Sequence, residues 1–147
     1  MLFRSEIKST YLPHAVDTNV FKILDDVTNK KNREQSFGKN KDRFIFFWNN
    51  RNARRKMSGS IVYWFNTFLN KVGRDKAMLL MHTNPKDENG QDLEAIAKDL
   101  GMNSDEILFS NGKLSFDQLA ALYNMVDCTV NISDAEGFGM ATMESLC

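Results

Sequence analysis

Two loops of this sequence carry residue types that bind charged or polyhydroxylated ligands. The first holds four cations within six residues, Arg51, Arg54, Arg55 and Lys56, at the predicted start of a helix. The positive end of a helix dipole disfavours cations, so such a cluster is typical of a site that receives an anion such as phosphate. A solvated basic turn is the alternative that this segment alone leaves open.

The second loop combines two glycines with two glutamates. Gly137 and Gly139 let the backbone come close to a ligand, and their amides can face phosphate or sugar oxygens. Glu136 lies in the loop and Glu144 in the helix after it, and ionised carboxylates there can accept hydrogen bonds from polyol hydroxyls. On this pattern alone, a purely structural role for the two glutamates stays open.

Several common ligand-binding motifs are excluded. Residues 137–142 lack the third glycine of a dinucleotide fingerprint. No Walker A sequence occurs, and the two histidines, His14 and His82, are too far apart for a local metal motif. The two cysteines, Cys128 and Cys147, fit neither zinc spacing nor a disulfide framework. We therefore expect no metal site.

Both loops follow short apolar blocks that predict buried strands. The blocks cover residues 43–48, 77–81, 107–109 and 126–132. Most of them lack alternation, which is typical of parallel strands covered on both faces. In such a sheet ligands bind at the carboxyl ends of the strands, where the two loops lie.

The segments between the blocks have the periodicity of amphipathic helices. One apolar stripe contains Met57, Ile61, Trp64, Phe65 and Phe68. A second stripe spans residues 93–100 and is followed by a C-terminal glycine at position 101. A third spans residues 115–123 and has a serine N-cap at position 115. A fourth helix is predicted to begin near residue 139. Alternating strands and helices predict an α/β fold with a Rossmann-like parallel sheet flanked by helices.

Length and composition predict one globular domain. The 147 residues are 42% hydrophobic and 26% charged. We divide them into an N-terminal segment (1–24), a polar flexible connection (25–42) and a βα core (43–147). The formal net charge of zero argues against a nucleic-acid-coating protein. No run approaches the roughly 20 apolar residues of a membrane span, and residues 1–11 lack the hydrophobic run of a signal peptide, so we expect a cytoplasmic protein.

Five motifs in register resemble the C-terminal, donor-binding domain of a GT-B glycosyltransferase, in the retaining group with a Glu-x7-Glu motif (glycosyl transferases group 1). Arg51 and Lys56 match its Arg-x4-Lys spacing, and Glu136 through Glu144 matches Glu-x7-Glu. Residues 12–17 resemble the family's Pro-His-Gly-Val-Asp segment, with Ala15 in place of the glycine. Residues 82–93 and 114–127 are similar to its connecting segments. The resemblance covers nearly the whole chain.

The resemblance implies a glycosyltransferase of the hexosyltransferase type that uses a UDP-, GDP- or ADP-sugar as donor substrate, with retention and without a metal or other cofactor. Arg51 and Lys56 would neutralise the donor diphosphate as the sugar departs. Glu136 would hold hydroxyls of the donor sugar.

Further donor contacts follow from the same resemblance. Gly137, Phe138 and Gly139 would help to position the sugar or phosphate, and Glu144 would bind the ribose. The base would lie against the loop that contains Asn111 and Leu114.

The resemblance also implies partners beyond the donor. The family's N-terminal acceptor domain is missing and its C-terminal domain continues beyond Cys147, so we expect a fragment that does not transfer sugar efficiently alone. Peripheral membrane association would occur through the missing domain, and no nucleic acid is expected as a partner. An unfinished sheet predicts marginal stability or self-association. The alternative is a non-catalytic nucleotide-binding or interaction module of the same fold.

Overall fold

A four-stranded parallel sheet forms the centre of the protein in a computed structural model that describes residues 10–147. Its strands are β1 (Phe44–Asn49), β2 (Ala77–His82), β3 (Ile107–Ser110) and β4 (Cys128–Thr129). Its helices are α1 (Asp26–Phe37), α2 (Ser58–Val72), α3 (Leu93–Asp99), α4 (Phe116–Met125) and α5 (Met140–Ser145). The predicted Rossmann-like α/β fold is confirmed, although the block 126–132 pairs as a strand over only two residues.

Helices cover both faces of the sheet. On one face, α2 and α3 pack against alternate side chains of β1 and β2, among them Trp48 and Leu79. On the other face, α1 and α4 pack against the intervening side chains, among them Phe47 and Leu80. Burial on both faces explains why these strands read as continuous apolar blocks.

The strand order β3-β2-β1-β4 creates a switch point between β1 and β4. From β1 the chain passes through α2 to β2 and through α3 to β3, and then α4 carries it back to β4 on the other side of β1. Ligands of doubly wound sheets bind in the crevice outside the carboxyl ends of the strands at such a point. The basic loop after β1 (residues 50–56) and the glutamate loop after β4 (residues 133–139) flank this crevice.

Capping residues begin and end the helices where the sequence predicts. Ser115 Oγ accepts from the Gln118 amide at 3.2 Å, and Gln118 Oε1 accepts from the Ser115 amide at 2.9 Å. Gly101 follows α3 with φ of 68°, and Gly139 is the N-cap of α5 with φ of 82°. Both glycines adopt the left-handed conformation that other residues disfavour.

The predicted flexible connection over residues 25–42 is wrong, because most of it forms α1. Asp25 caps the helix by accepting from the Thr28 amide at 2.9 Å, and Phe37 is buried. The Arg33 guanidinium donates to the Asp127 carboxylate and to the backbone carbonyls of Lys41, Arg43 and Met125. Hydrogen bonds to the core, rather than an apolar stripe, therefore fix α1 in place.

The predicted buried stripe of α2 is wrong at two positions. Ile61 and Phe65 are buried, whereas Trp64 is 52% exposed and Phe68 37% exposed. These two side chains line an apolar groove of about 280 Å³ that also includes Ile132, after β4. Within residues 10–147 only α2 and α3 contribute helices to the core on this face, and the groove lies on the β4 side of α2.

Candidate functional site

A cleft of about 370 Å³ lies at the carboxyl ends of β1 and β4. The basic loop, the glutamate loop and the start of α5 form its walls. Six of the predicted site residues line it, namely Arg51, Lys56, Glu136, Phe138, Gly139 and Glu144. Gly137 belongs to the same loop, and its amide donates to the Glu136 carboxylate at 3.2 Å. The fold therefore brings the predicted cations and carboxylates to one place.

Lys56 and Glu136 form an ion pair in this cleft. Lys56 is only 5% exposed, and it ends a 3-10 turn over Arg54–Lys56. Arg55 donates to the carbonyl oxygen of Ala135 at 2.8 Å, which ties this turn to the glutamate loop. The hydrogen bond from Lys56 lowers the pKa of Glu136, so its carboxylate is ionised at neutral pH.

Arg51 is paired with Asp87, a residue of the loop between β2 and α3. Its Nε lies 2.8 Å from Asp87 Oδ2, and its Nη2 lies 3.2 Å from Asp87 Oδ1. This two-pronged hydrogen bond holds the pKa of Asp87 well below its usual range. Asp87 therefore orients the Arg51 guanidinium. No sequence motif distinguishes Asp87 from the other acids of its loop.

Asn52 holds the basic loop in position although its side chain does not face the cleft. It is fully buried and donates to the carbonyls of Pro85 and Gln91, at 3.2 and 2.7 Å. Its Oδ1 accepts from Ser58 Oγ at 2.7 Å. Gly90 lies so close that an added Cβ would sit 2.3 Å from the Asn52 carbonyl oxygen. These contacts fix the loop that presents Arg51 and Lys56.

Glu144 is held by the hydroxyl of Tyr123, a residue that is not among the predicted site residues. Tyr123 Oη lies 2.9 Å from Glu144 Oε2 and 2.9 Å from Asn49 Nδ2. Asn49 ends β1 and lines the cleft together with Glu144. The only available signal for Tyr123 was its place on the predicted apolar stripe of α4, which indicates packing rather than a polar role.

The structure does not bring Asn111 and Leu114 to the same cleft. Asn111 is exposed in the loop between β3 and α4, and Leu114 packs against the core beside α1 and α4. The N-terminal segment does approach the cleft, since the rings of His14 and Phe138 are 4.8 Å apart. His82 instead lies at the end of β2, with Nδ1 3.0 Å from Ser110 Oγ.

Cations and carboxylates side by side suit a ligand that carries both phosphates and hydroxyls. Among the residues that the structure describes, no group of three or more His, Cys, Asp or Glu side chains is placed to hold a metal ion. No helix in residues 10–147 is both long and apolar enough to cross a membrane.

The fold is shared with a solved protein domain. No family model matches the chain, and no curated protein matches it. It is similar to the crystal structure of the C-terminal domain of a glycosyl transferase group 1 family protein (LpcC) from Francisella tularensis, with a TM-score of 0.68 and 21% sequence identity. The match covers 90% of this chain and 66% of that domain. The likeness confirms the predicted Rossmann-like α/β fold, and the chain spans less than the full length of its neighbour.

Proposed function

We propose that this chain is the donor-binding domain of a glycosyltransferase that takes a sugar from a nucleotide diphosphate donor. The observation that carries the proposal is the convergence of Arg51, Lys56, Glu136 and Glu144 on one cleft at the switch point of the sheet. The cations complement a diphosphate, and the carboxylates complement sugar and ribose hydroxyls. The fold shared with a glycosyl transferase domain supports the same conclusion.

In this proposal Arg51 and Lys56 neutralise the negative charge that develops on the leaving diphosphate. They would perform the role that a metal ion has in other transferases, and we propose that the reaction is metal-independent and retaining. The Lys56–Glu136 ion pair links phosphate and sugar binding. A phosphate that binds Lys56 competes with the Glu136 carboxylate, and the sugar hydroxyls then satisfy that carboxylate.

The remaining donor contacts and the acceptor are also proposals. Glu144 would bind the ribose, and the Gly137 and Gly139 amides would face the sugar or phosphate. A second domain would supply the acceptor, so the chain alone binds the donor without transferring its sugar efficiently.

Calorimetric titration tests the proposal with UDP-glucose, GDP-mannose and ADP-glucose as probes. We expect one of them to bind, and Arg51→Ala to weaken that binding about tenfold or more. Arg54→Ala is the matched control, because it removes the same charge from the same segment at an exposed position outside the cleft lining. Its affinity should stay within about twofold of the wild type.

Two results together would instead identify a polyanion-binding surface. Both arginine variants would lose the same amount of affinity, and binding would weaken with salt and be equally strong for all three nucleotide bases. The proposal that the reaction is metal-independent is tested separately, by assaying sugar transfer by the full-length protein in the presence of EDTA. Transfer should persist, and its abolition by the chelator would refute that part.

A further inference from the structure

The hydroxyl of Tyr123 lies where α4, the end of β1 and α5 meet. Tyr123 belongs to α4, Asn49 ends β1, and Glu144 belongs to α5. Asn49 Nδ2 donates to Tyr123 Oη at 2.9 Å, and Oη lies 2.9 Å from Glu144 Oε2 and 3.1 Å from the Ala141 carbonyl oxygen. One hydroxyl therefore links the end of β1 to the helix that carries a predicted ribose ligand.

The aromatic ring holds that hydroxyl in a fixed position. It packs edge-on against Phe47, with ring centroids 5.2 Å apart, and against Phe21, at 6.2 Å. Phe47 is fully buried in the sheet, and Phe21, in the N-terminal segment, is also buried. A ring clamped between two buried aromatic side chains loses little entropy when its hydroxyl binds Glu144.

Helix α5 has few other contacts that could orient Glu144. It is six residues long, has no side-chain cap, and contains no buried residue. Its other side-chain link to the sheet side of the cleft is a hydrogen bond of 2.5 Å from Asn131 Nδ2 to Thr142 Oγ1. The position of the Glu144 carboxylate therefore depends strongly on Tyr123.

The single proton of the phenol determines that Tyr123 is the donor and Glu144 the acceptor in their hydrogen bond. The hydroxyl has one proton, and because Oη accepts from Asn49 this proton is free for Glu144, the charged and stronger acceptor. Burial raises the pKa of Tyr123, which keeps the phenol protonated at neutral pH. Within residues 10–147, no protein donor binds Glu144 Oε1, which leaves this oxygen for a ligand hydroxyl.

We propose that Tyr123 is a positioning residue that orients the Glu144 carboxylate toward the ribose hydroxyls of the donor nucleotide. This inference rests on the proposed function, because it concerns the same cleft. It adds to the site a residue that does not line the cleft. Through Glu144, Tyr123 controls how strongly the cleft prefers ribose over a sugar that lacks the 2′- and 3′-hydroxyls.

The test compares UDP, GDP and ADP with their 2′,3′-dideoxy counterparts in calorimetric titrations. For the nucleotide that binds, the wild type should prefer the ribose form about tenfold or more. Tyr123→Phe should lower this preference about fivefold. The matched control is Tyr63→Phe on α2, which loses the same hydroxyl at a position that is 56% exposed and outside the cleft lining. It should keep the wild-type preference.

The preference ratio separates positioning from folding. Both nucleotides are titrated into the same preparation, so a loss of folded protein lowers the number of sites and leaves the ratio unchanged. In a Glu144→Gln background, Tyr123→Phe should have little further effect, because the two side chains act as one unit. A wild-type preference that persists in Tyr123→Phe overturns the inference alone. A wild type that binds without preferring ribose overturns the ribose assignment of Glu144, and the inference with it.

Discussion

The Lys56 ammonium group and the Glu136 carboxylate form an ion pair in the cleft. Lys56 is nearly buried, and a buried ammonium group needs an anion beside it. Glu136 supplies that anion in the structure. In the proposed function, a diphosphate in the cleft would take over this role, which would free Glu136 for the sugar.

Replacing Glu136 with Gln should therefore separate binding of the nucleoside diphosphate from binding of the sugar. We expect Glu136→Gln to bind the nucleoside diphosphate about threefold more tightly, because Lys56 loses a competing carboxylate. The same variant should lose the preference for the nucleotide sugar over the nucleoside diphosphate. Titrations of UDP against UDP-glucose, or of the matching pair for another base, measure both effects.

Glu94→Gln on α3 is the control for this prediction, since it breaks an exposed ion pair with Lys86, and neither residue lines the cleft. Its two affinities should equal those of the wild type. A Glu136→Gln protein that still prefers the nucleotide sugar would show that the carboxylate does not contact the sugar.

At the level of single residues, the sequence predicts which charged side chains meet at the cleft. It does not predict which neighbouring side chains orient them. Arg51 and Glu144 follow strands of a parallel sheet, and the carboxyl ends of such strands share one edge, so their convergence was predictable. The pairing of Arg51 with Asp87, and of Glu144 with Tyr123, depends on rotamers and loop paths that spacing does not encode.

At the scale of elements, buried strands and amphipathic helices were predictable because burial leaves a periodic pattern. Helix α1 was not, since only Phe37 among its residues is buried. Its cap at Asp25 was a local signal, but the contacts that fix it run from Arg33 to Asp127, which lies 94 positions away. Hydrogen bonds over such separations have no periodic signature in the sequence.

The start of α5 depends on a glycine with a left-handed backbone. Gly139 has φ of 82°, and an added Cβ would lie 3.5 Å from Glu136 Cγ. Gly139→Ala should lower the free energy of unfolding by about 1 kcal/mol through backbone strain. Because the strain acts between Glu136 and Glu144, donor binding should weaken as well. Chemical unfolding and calorimetry measure the two effects.

Gly101→Ala is a matched control at the end of α3. Gly101 has φ of 68° with open space around it, so this substitution carries similar backbone strain outside the cleft lining. We expect a similar loss of stability with unchanged donor affinity. Equal binding losses in both variants would show that stability, rather than loop geometry, limits binding.

At the scale of the whole molecule, the described residues leave an apolar face open beside β4. Trp64 and Phe68 of α2, together with Val130 and Ile132 after β4, line a groove whose surface is almost entirely apolar. Exposed apolar patches beside a sheet edge favour association. We therefore expect the predicted self-association to occur through this groove.

Trp64→Gln should reduce that association, because it removes the most exposed aromatic ring of the groove. Sedimentation velocity over a range of concentrations should give a lower average mass for this variant than for the wild type. Tyr63→Gln is the control, since Tyr63 is 56% exposed but does not line the groove. Equal changes in both variants, or a strictly monomeric wild type, would contradict this prediction.

A crystal structure of the chain with its bound nucleotide sugar will show whether two cations and two carboxylates bind one activated sugar. We expect diphosphate oxygens within about 3.2 Å of the Arg51 guanidinium and Lys56 Nζ. We also expect sugar hydroxyls on Glu136 and ribose hydroxyls on Glu144. A nucleotide sugar bound at another surface, or in this cleft with its diphosphate touching neither cation, would contradict the proposed function.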